Sequence, residues 1–210
     1  MNLIMITMEK DLPPRRKSGR PLSFDRDAAL EKAMLAFWES GYETTSISDL
    51  TAAMGVTAPS IYAAFGDKKR LFLEALRLYA GDPSDLEASL FRAPTAREAV
   101  AGMIENAARL YTGDETPRGC LLASAAATGS KDAADVREAA AQERRAIRSV
   151  IVSRIQHDVE KHLLPPETVP SVLADLALAV MQGLSVLARD GADRDALLHV
   201  AQASMAGWPE

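Results

Sequence analysis

Residues 44–72, "TTSISDLTAAMGVTAPSIYAAFGDKKRLF", decide the fold of this chain. They read as two short helices hinged on Gly55, followed by the opening of a third. Ser46 and Asp49 form a capping-box pattern, with Asp where Glu is usual. Ile47, Leu50 and Met54 supply an inner face, and Gly55 breaks the helix. Thr57 or Ala58 begins the next one, where Pro59 fits because a missing N–H costs nothing in a first turn. That helix ends near Phe65-Gly66, after only about two turns. Asp67 then caps "DKKRLFLEALRLYA", whose Leu71, Phe72, Ala75, Leu76 and Tyr79 face inward. Tyr62, Phe65, Lys68, Lys69 and Arg70 are therefore crowded around a very short element, which is either a packing corner or a surface built to meet phosphate.

Outward from this stretch the chain is helical in both directions. Upstream, "SFDRDAALEKAMLAFWESGY" has Ser23 as N-cap, Asp25 and Asp27 in the first turn, and Gly41 as a stop. Its Leu30, Met34, Phe37 and Trp38 recur at helical spacing. Downstream, Gly81-Asp82-Pro83 ends the fourth helix and marks a domain boundary. Beyond it lie an amphipathic helix through Val100, Ile104, Ala107 and Tyr111, a loop, and the short apolar "CLLASAAAT". A long helix capped by Ser130 follows, and then two helices, about 171–189 and 193–208. No segment alternates like a strand, and no 20–50-residue period repeats. The expected class is all-α.

The chain has 210 residues, one cysteine and a net charge of −5. One cysteine excludes an internal disulfide framework and suits a reducing cytosol. The opening "MNLIMITMEKDLPPRRKSGR" places its apolar run before its cations, the reverse of a secretory signal. The longest apolar stretch, 173–188, is interrupted by Asp175 and Gln182 and reads as too short to span a bilayer. No membrane partner and a cytoplasmic location are expected. Residues 1–80 carry 11 Lys+Arg against 10 Asp+Glu, whereas 81–210 carry 13 against 19. The cations of "RRKSGR" thus stand beside a near-neutral first part joined to an acidic second part, compatible with nucleic-acid binding by the first part or with a solvated tail. No activated nucleophile, paired-carboxylate spacing or phosphate loop supports an enzyme, which leaves a helical interaction protein that does not bind DNA as the other reading of these residues. His157 and His162 are five apart and cannot share a helix face, so neither a metal nor another cofactor is expected.

Three short helices with a glycine turn between the second and third describe a helix-turn-helix. In such a unit Thr57, Ser60 and Ile61 line the groove side of the third helix, and Tyr62 and Lys68 flank it on the backbone. The amides around Thr45 and Ser46, at the start of the second helix, favour a phosphate. Arg16, Lys17 and Arg20 can reach an adjacent minor groove. The segment from Gly19 to about Leu76 resembles, without a gap, the DNA-binding domain of the TetR family of transcriptional regulators. The most specific part is "GYETTSISDLTAAMGV", with Tyr62, Phe65 and Lys68 in the spacing Y-x-x-F-x-x-K. The resemblance implies a dimeric repressor that leaves double-stranded operator DNA when a small ligand binds. It implies phosphate contacts for Thr45, Tyr62 and Lys68, and base contacts for Thr57, Ala58, Ser60 and Ile61. It also implies a division into a flexible basic arm (1–22), the DNA-binding domain (23–80) and a helical effector and dimerisation domain (81–210). The sequence departs from the family at Ala63 and Ala64, where many members carry an aromatic and a His, and at Ala58-Pro59, usually more polar. Apolar contact and groove shape should therefore carry more of the readout.

The second part offers two sites. Leu176, Val180, Gly183, Leu184 and Leu187, with Leu197, Ala201 and Met205, form stripes on the last two helices, and the resemblance makes them a four-helix interface between two copies. The other reading is core within one chain. An apolar pocket lined by Met103, Ile104, Ala107, Tyr111, Leu121, Leu122 and Val150 would take a small, apolar effector. Cys120, in "PRGCLLASAA", belongs to this group. A similar "RGCL" occurs in a TetR subgroup that includes regulators responding to electrophiles or copper, and Arg118 could lower the thiol pKa. A free cysteine opening an apolar helix is also ordinary core.

Overall fold

The structure is a computed structural model and describes residues 24–113, 115–126 and 133–209. Ten α-helices and no strands occur among them: α1 Arg26–Ser40, α2 Ile47–Met54, α3 Ala58–Phe65, α4 Lys68–Ala80, α5 Pro83–Arg92, α6 Ala96–Tyr111, α7 Leu121–Ala126, α8 Ala134–Glu160, α9 Pro170–Arg189 and α10 Arg194–Ser204. Asp25 caps α1, its carboxylate accepting from the amides of Asp27 and Ala28. Asp25, expected in the first turn, thus takes the N-cap position expected of Ser23, while Ser130, the expected cap of the long helix, lies outside the described residues. The described start of α8 follows Ala133 and has no side-chain cap.

Sequence patterning explains why α1–α4 form one unit. Ala33, Phe37 and Trp38 of α1, Leu50 of α2, Ile61 of α3, and Leu71, Phe72 and Tyr79 of α4 are all fully buried. Rings meet edge-on, Phe37 with Phe72 at 5.0 Å and Trp38 with Tyr79 at 4.8 Å between centroids, the arrangement that aromatic quadrupoles favour. Arg26 clamps the corner. Its guanidinium stands over the Phe65 ring at 4.3 Å and pairs with Glu74 at 2.6 Å.

Asp82-Pro83 does more than stop α4. Asp82 caps a further helix, α5, with Pro83 in its first turn, an element the sequence reading missed. It packs on α8 and α6, with Leu86 and Leu90 buried. The Arg154–Asp158 pair of α8 secures the α5–α6 corner. Both side chains are buried, Arg154 donating to the carbonyls of Leu90, Ala93 and Pro94 and Asp158 accepting from the Ala96 amide.

The two halves are hydrogen-bonded together at Trp38. Its indole N–H donates to the Gly119 carbonyl at 3.0 Å, and its own carbonyl accepts from Arg189 at 2.9 Å. Gly119 needs its glycine: φ is +80°, and a Cβ would fall 2.8 Å from Arg189 Nε and 2.9 Å from the Ser185 carbonyl.

Two expectations about the last helices are corrected. Leu184, Leu197, Ala201 and Met205 are buried within the chain, where α9 and α10 pack on α6 and α8, so they are core and cannot be part of an open face. The open apolar residues are Val172, Leu176, Val186, Leu187 and Val200, with Gly183 exposed and Val180 half-buried between them. Moreover, α9 at 20 residues is long and apolar enough to cross a membrane by length and composition, despite Asp175 and Gln182. Here it packs against α6, α8 and α10, and Asp175 forms a bidentate pair with Arg148 of α8.

Candidate nucleic-acid interface

The turn between α2 and α3 follows from one residue. Gly55 adopts a left-handed conformation, φ 71° and ψ 29°, and its amide bonds back to the Thr51 carbonyl, ending α2 in a single step. At the other end of α2 the capping box is complete. Ser46 Oγ accepts from the Asp49 amide, and the Asp49 carboxylate accepts from the Ser46 amide and hydroxyl. The Ser46 hydroxyl and then its amide hold the Asp49 carboxyl below the usual carboxylate range. The box satisfies two first-turn donors and leaves the amides of Ile47 and Ser48 as those a phosphate can take.

Lys68, at the first position of α4, returns to this end of α2. Its ammonium donates to the Glu43 carbonyl at 3.3 Å and stands 4.7 Å over the Tyr42 ring. Burial pushes its pKa down, while Glu43 and Asp49 pull it up. The cation is thus held in place at the mouth of the α1–α2 turn. Lys69 is directed elsewhere, pairing with Asp135 of α8 at 2.7 Å.

On α3, Tyr62 is 49% exposed and Thr57 is exposed, whereas Ala58 and Ser60 are half-buried. The Thr57 and Ser60 hydroxyls are 2.9 Å apart and bond to each other. An open cleft lined by Ile47, Ser48, Thr51, Ala52, Gly55, Val56, Thr57 and Ala58 separates α2 from the start of α3.

Of the residues expected at DNA, the structure brings Ser46, Thr57, Ala58, Ser60, Tyr62 and Lys68 to the outside of α2–α4. Two are turned inward. Thr45 is buried, its hydroxyl donating to the Gly41 carbonyl at 2.6 Å, so its side chain shapes the turn and is not presented to phosphate. Ile61 is fully buried and points into the core with Phe65, so it cannot face a groove. The helical period puts Pro59 and Ala63 opposite that pair, and both are exposed. Phase measured from Phe65 alone would have found them. Arg16, Lys17 and Arg20 lie outside the described residues.

The expected effector residues form one interior group. Met103, Ile104, Ala107, Tyr111, Cys120, Leu121 and Leu122 are buried, and Val150 is half-buried. Arg118 does not serve Cys120, because its guanidinium donates to the carbonyls of Ala188 and Ala192 at the end of α9. The Cys120 amide donates to Ser185 Oγ at 2.8 Å. The thiol lies beside two buried phenols. Burial first, and then the thiol, push Tyr79 and Tyr111 well above the ordinary tyrosine range. The Tyr79 hydroxyl finds no hydrogen-bond partner of good geometry among the described residues.

Comparison with known proteins agrees with this architecture. Residues 29–75 match the family model of bacterial regulatory proteins, tetR family, and residues 96–204 match a tetracyclin repressor-like C-terminal domain. The HTH-type transcriptional repressor ComR of Escherichia coli K12 is 34% identical over 202 residues, spanning 93% of this chain and 94% of that protein. BdcR of the same organism, also an HTH-type transcriptional repressor, is 30% identical over 204 residues, 97% of this chain and 95% of that one. Among solved structures, a cysteine mutant of the TetR family regulator CifR, complexed with 26-bp double-strand operator DNA, superposes with a TM-score of 0.86. It is 41% identical and covers 91% of this chain and all of its own. By its helix-turn-helix, its helical second half and these matches, the chain belongs to the tetR family of bacterial regulatory proteins.

Proposed function

We propose that the protein is a cytoplasmic, non-enzymatic transcriptional repressor that binds a palindromic operator as a homodimer and is released by a small effector. The observation that carries this reading is the α2–Gly55–α3 unit, with the open N-terminus of α2, the held Lys68 and the outward Tyr62 on one side of a rigid aromatic core. Such a surface offers amides and a cation to phosphates and a short helix to the major groove. ComR and BdcR are named repressors, and the CifR structure holds operator DNA, which supports the same role here. Residues 24–80 would then bind DNA, while 83–209 would dimerise and hold the effector. The dimer would use the open stripe of Val172, Leu176, Gly183 and Leu187, since an exposed row of large apolar side chains is costly in water.

The effector reading rests on the interior between α4, α6 and α7. The side chains there are mostly apolar, and the buried Tyr79 and Tyr111 phenols beside Cys120 are the polar groups an effector could meet. A second reading is covalent sensing at Cys120, whose thiol is buried beside Tyr79 and Tyr111. Selecting bound duplexes from a random pool, followed by footprinting, tests DNA recognition. A symmetric protected site is expected, and enrichment of no sequence would count against the proposal. If Cys120→Ala keeps full release by an effector found in a dissociation screen, the non-covalent reading stands.

A further inference from the structure

Opposite the buried Ile61 and Phe65, the outermost ridge of α3 runs through Pro59 and Ala63, one turn apart and both exposed. From Thr57 to Gly66 the chain has no Arg, Lys, Asn, Gln, Asp or Glu. The bidentate pairs by which side chains read guanine or adenine edges therefore cannot be made from this helix. The Thr57 and Ser60 hydroxyls bond to each other, and a single hydroxyl makes no bidentate contact to a base edge. Pro59, in the first turn, brings no N–H to offer to a base or a phosphate. What remains on the ridge is short aliphatic carbon, which lets the helix backbone approach the groove floor closely. The apolar feature a base presents in the major groove is the thymine C5 methyl.

We propose that the Pro59–Ala63 ridge sets operator sequence by packing against thymine methyl groups in each half-site. This rests on the DNA-binding reading above and names the base feature that reading leaves open. The ridge contacts one or two thymines per half-site, because two side chains one turn apart span about 6 Å along the helix. Tyr62 and Lys68 hold the backbone to either side and contribute no sequence information.

The test uses the full chain and a duplex selected from a random pool, with each thymine replaced singly by deoxyuridine. That change deletes one major-groove methyl and leaves base pairing and the minor groove untouched. Affinity is expected to fall about fourfold at each contacted thymine, the equivalent of one buried CH2 at roughly 0.8 kcal/mol, symmetrically in both half-sites. Ala63→Gly should lose that same factor on the unmodified duplex and show no further loss with deoxyuridine at its own position. Pro59→Ala provides the parallel case should Ala63→Gly fail to fold. Sequence-specific binding with no deoxyuridine penalty at any thymine would overturn this proposal while leaving DNA recognition intact. A failure to select any preferred sequence would instead overturn the reading beneath it.

Discussion

Lys68 is positioned before any nucleic acid arrives. The Glu43 carbonyl and the Tyr42 ring hold its ammonium, so little side-chain entropy remains to be lost on meeting a phosphate. Lys68→Ala should therefore weaken binding to all duplexes by a similar factor and lower the slope of log K against log salt by about one. Anisotropy titrations of an operator and a scrambled duplex over a salt series measure both effects. Loss of affinity for the operator alone would mean that Lys68 reads sequence. Single residues are also where sequence reading was weakest. Thr45 and Ile61 matched a pattern of contacts, yet a hydroxyl bond to Gly41 and a place in the core take them inside. Pattern matching assigns a role to a position, whereas burial is decided by the phase of the helix against its neighbours.

At the scale of elements, two buried or capped groups carry testable weight. Removing one partner of the Arg154–Asp158 pair leaves an uncompensated charge and frees the carbonyls of Leu90, Ala93 and Pro94. Arg154→Ala should cost about 3–5 kcal/mol by urea denaturation. A loss under 1 kcal/mol would show that the α5–α6 corner holds without it. The α2 cap predicts an acid limb. Asp49 has a depressed folded pKa, so its contribution is present above its unfolded value, near 3.9, and disappears as pH falls through the lower folded value. Asp135 and Asp175, each bonded to a cation, act with the same sign. Asp49→Asn should flatten the fall of Tm with pH below about 4 and leave its neutral-pH dependence unchanged. Caps and stops were the legible part of the fold: Ser46 with Asp49, Gly55 and Asp67 each do locally what their types dictate. The α5 helix was not legible, because Gly81-Asp82-Pro83 reads equally as a stop and as a start. Arg154 and Asp158, four apart, look like an ordinary exposed pair until α5 and α6 cover them.

For the whole molecule, the stripes on α9 and α10 show why one sequence cannot separate core from interface. Both faces are apolar, and only packing against α6 and α8 consigns Leu184, Leu197, Ala201 and Met205 to the interior. The face left over should join two copies. Leu176→Glu, on that open face, is expected to yield monomers by sedimentation with helical content unchanged, and operator affinity should fall with the dimer. A dimer that survives this change would place the interface elsewhere. The account stands most directly on one titration, that of the full chain against its selected operator and a scrambled duplex at about 50 and 200 mM salt. It predicts operator binding at least about 10³-fold tighter than scrambled, with both affinities falling steeply as salt rises. Equal, weak and salt-insensitive binding to the two duplexes would contradict it.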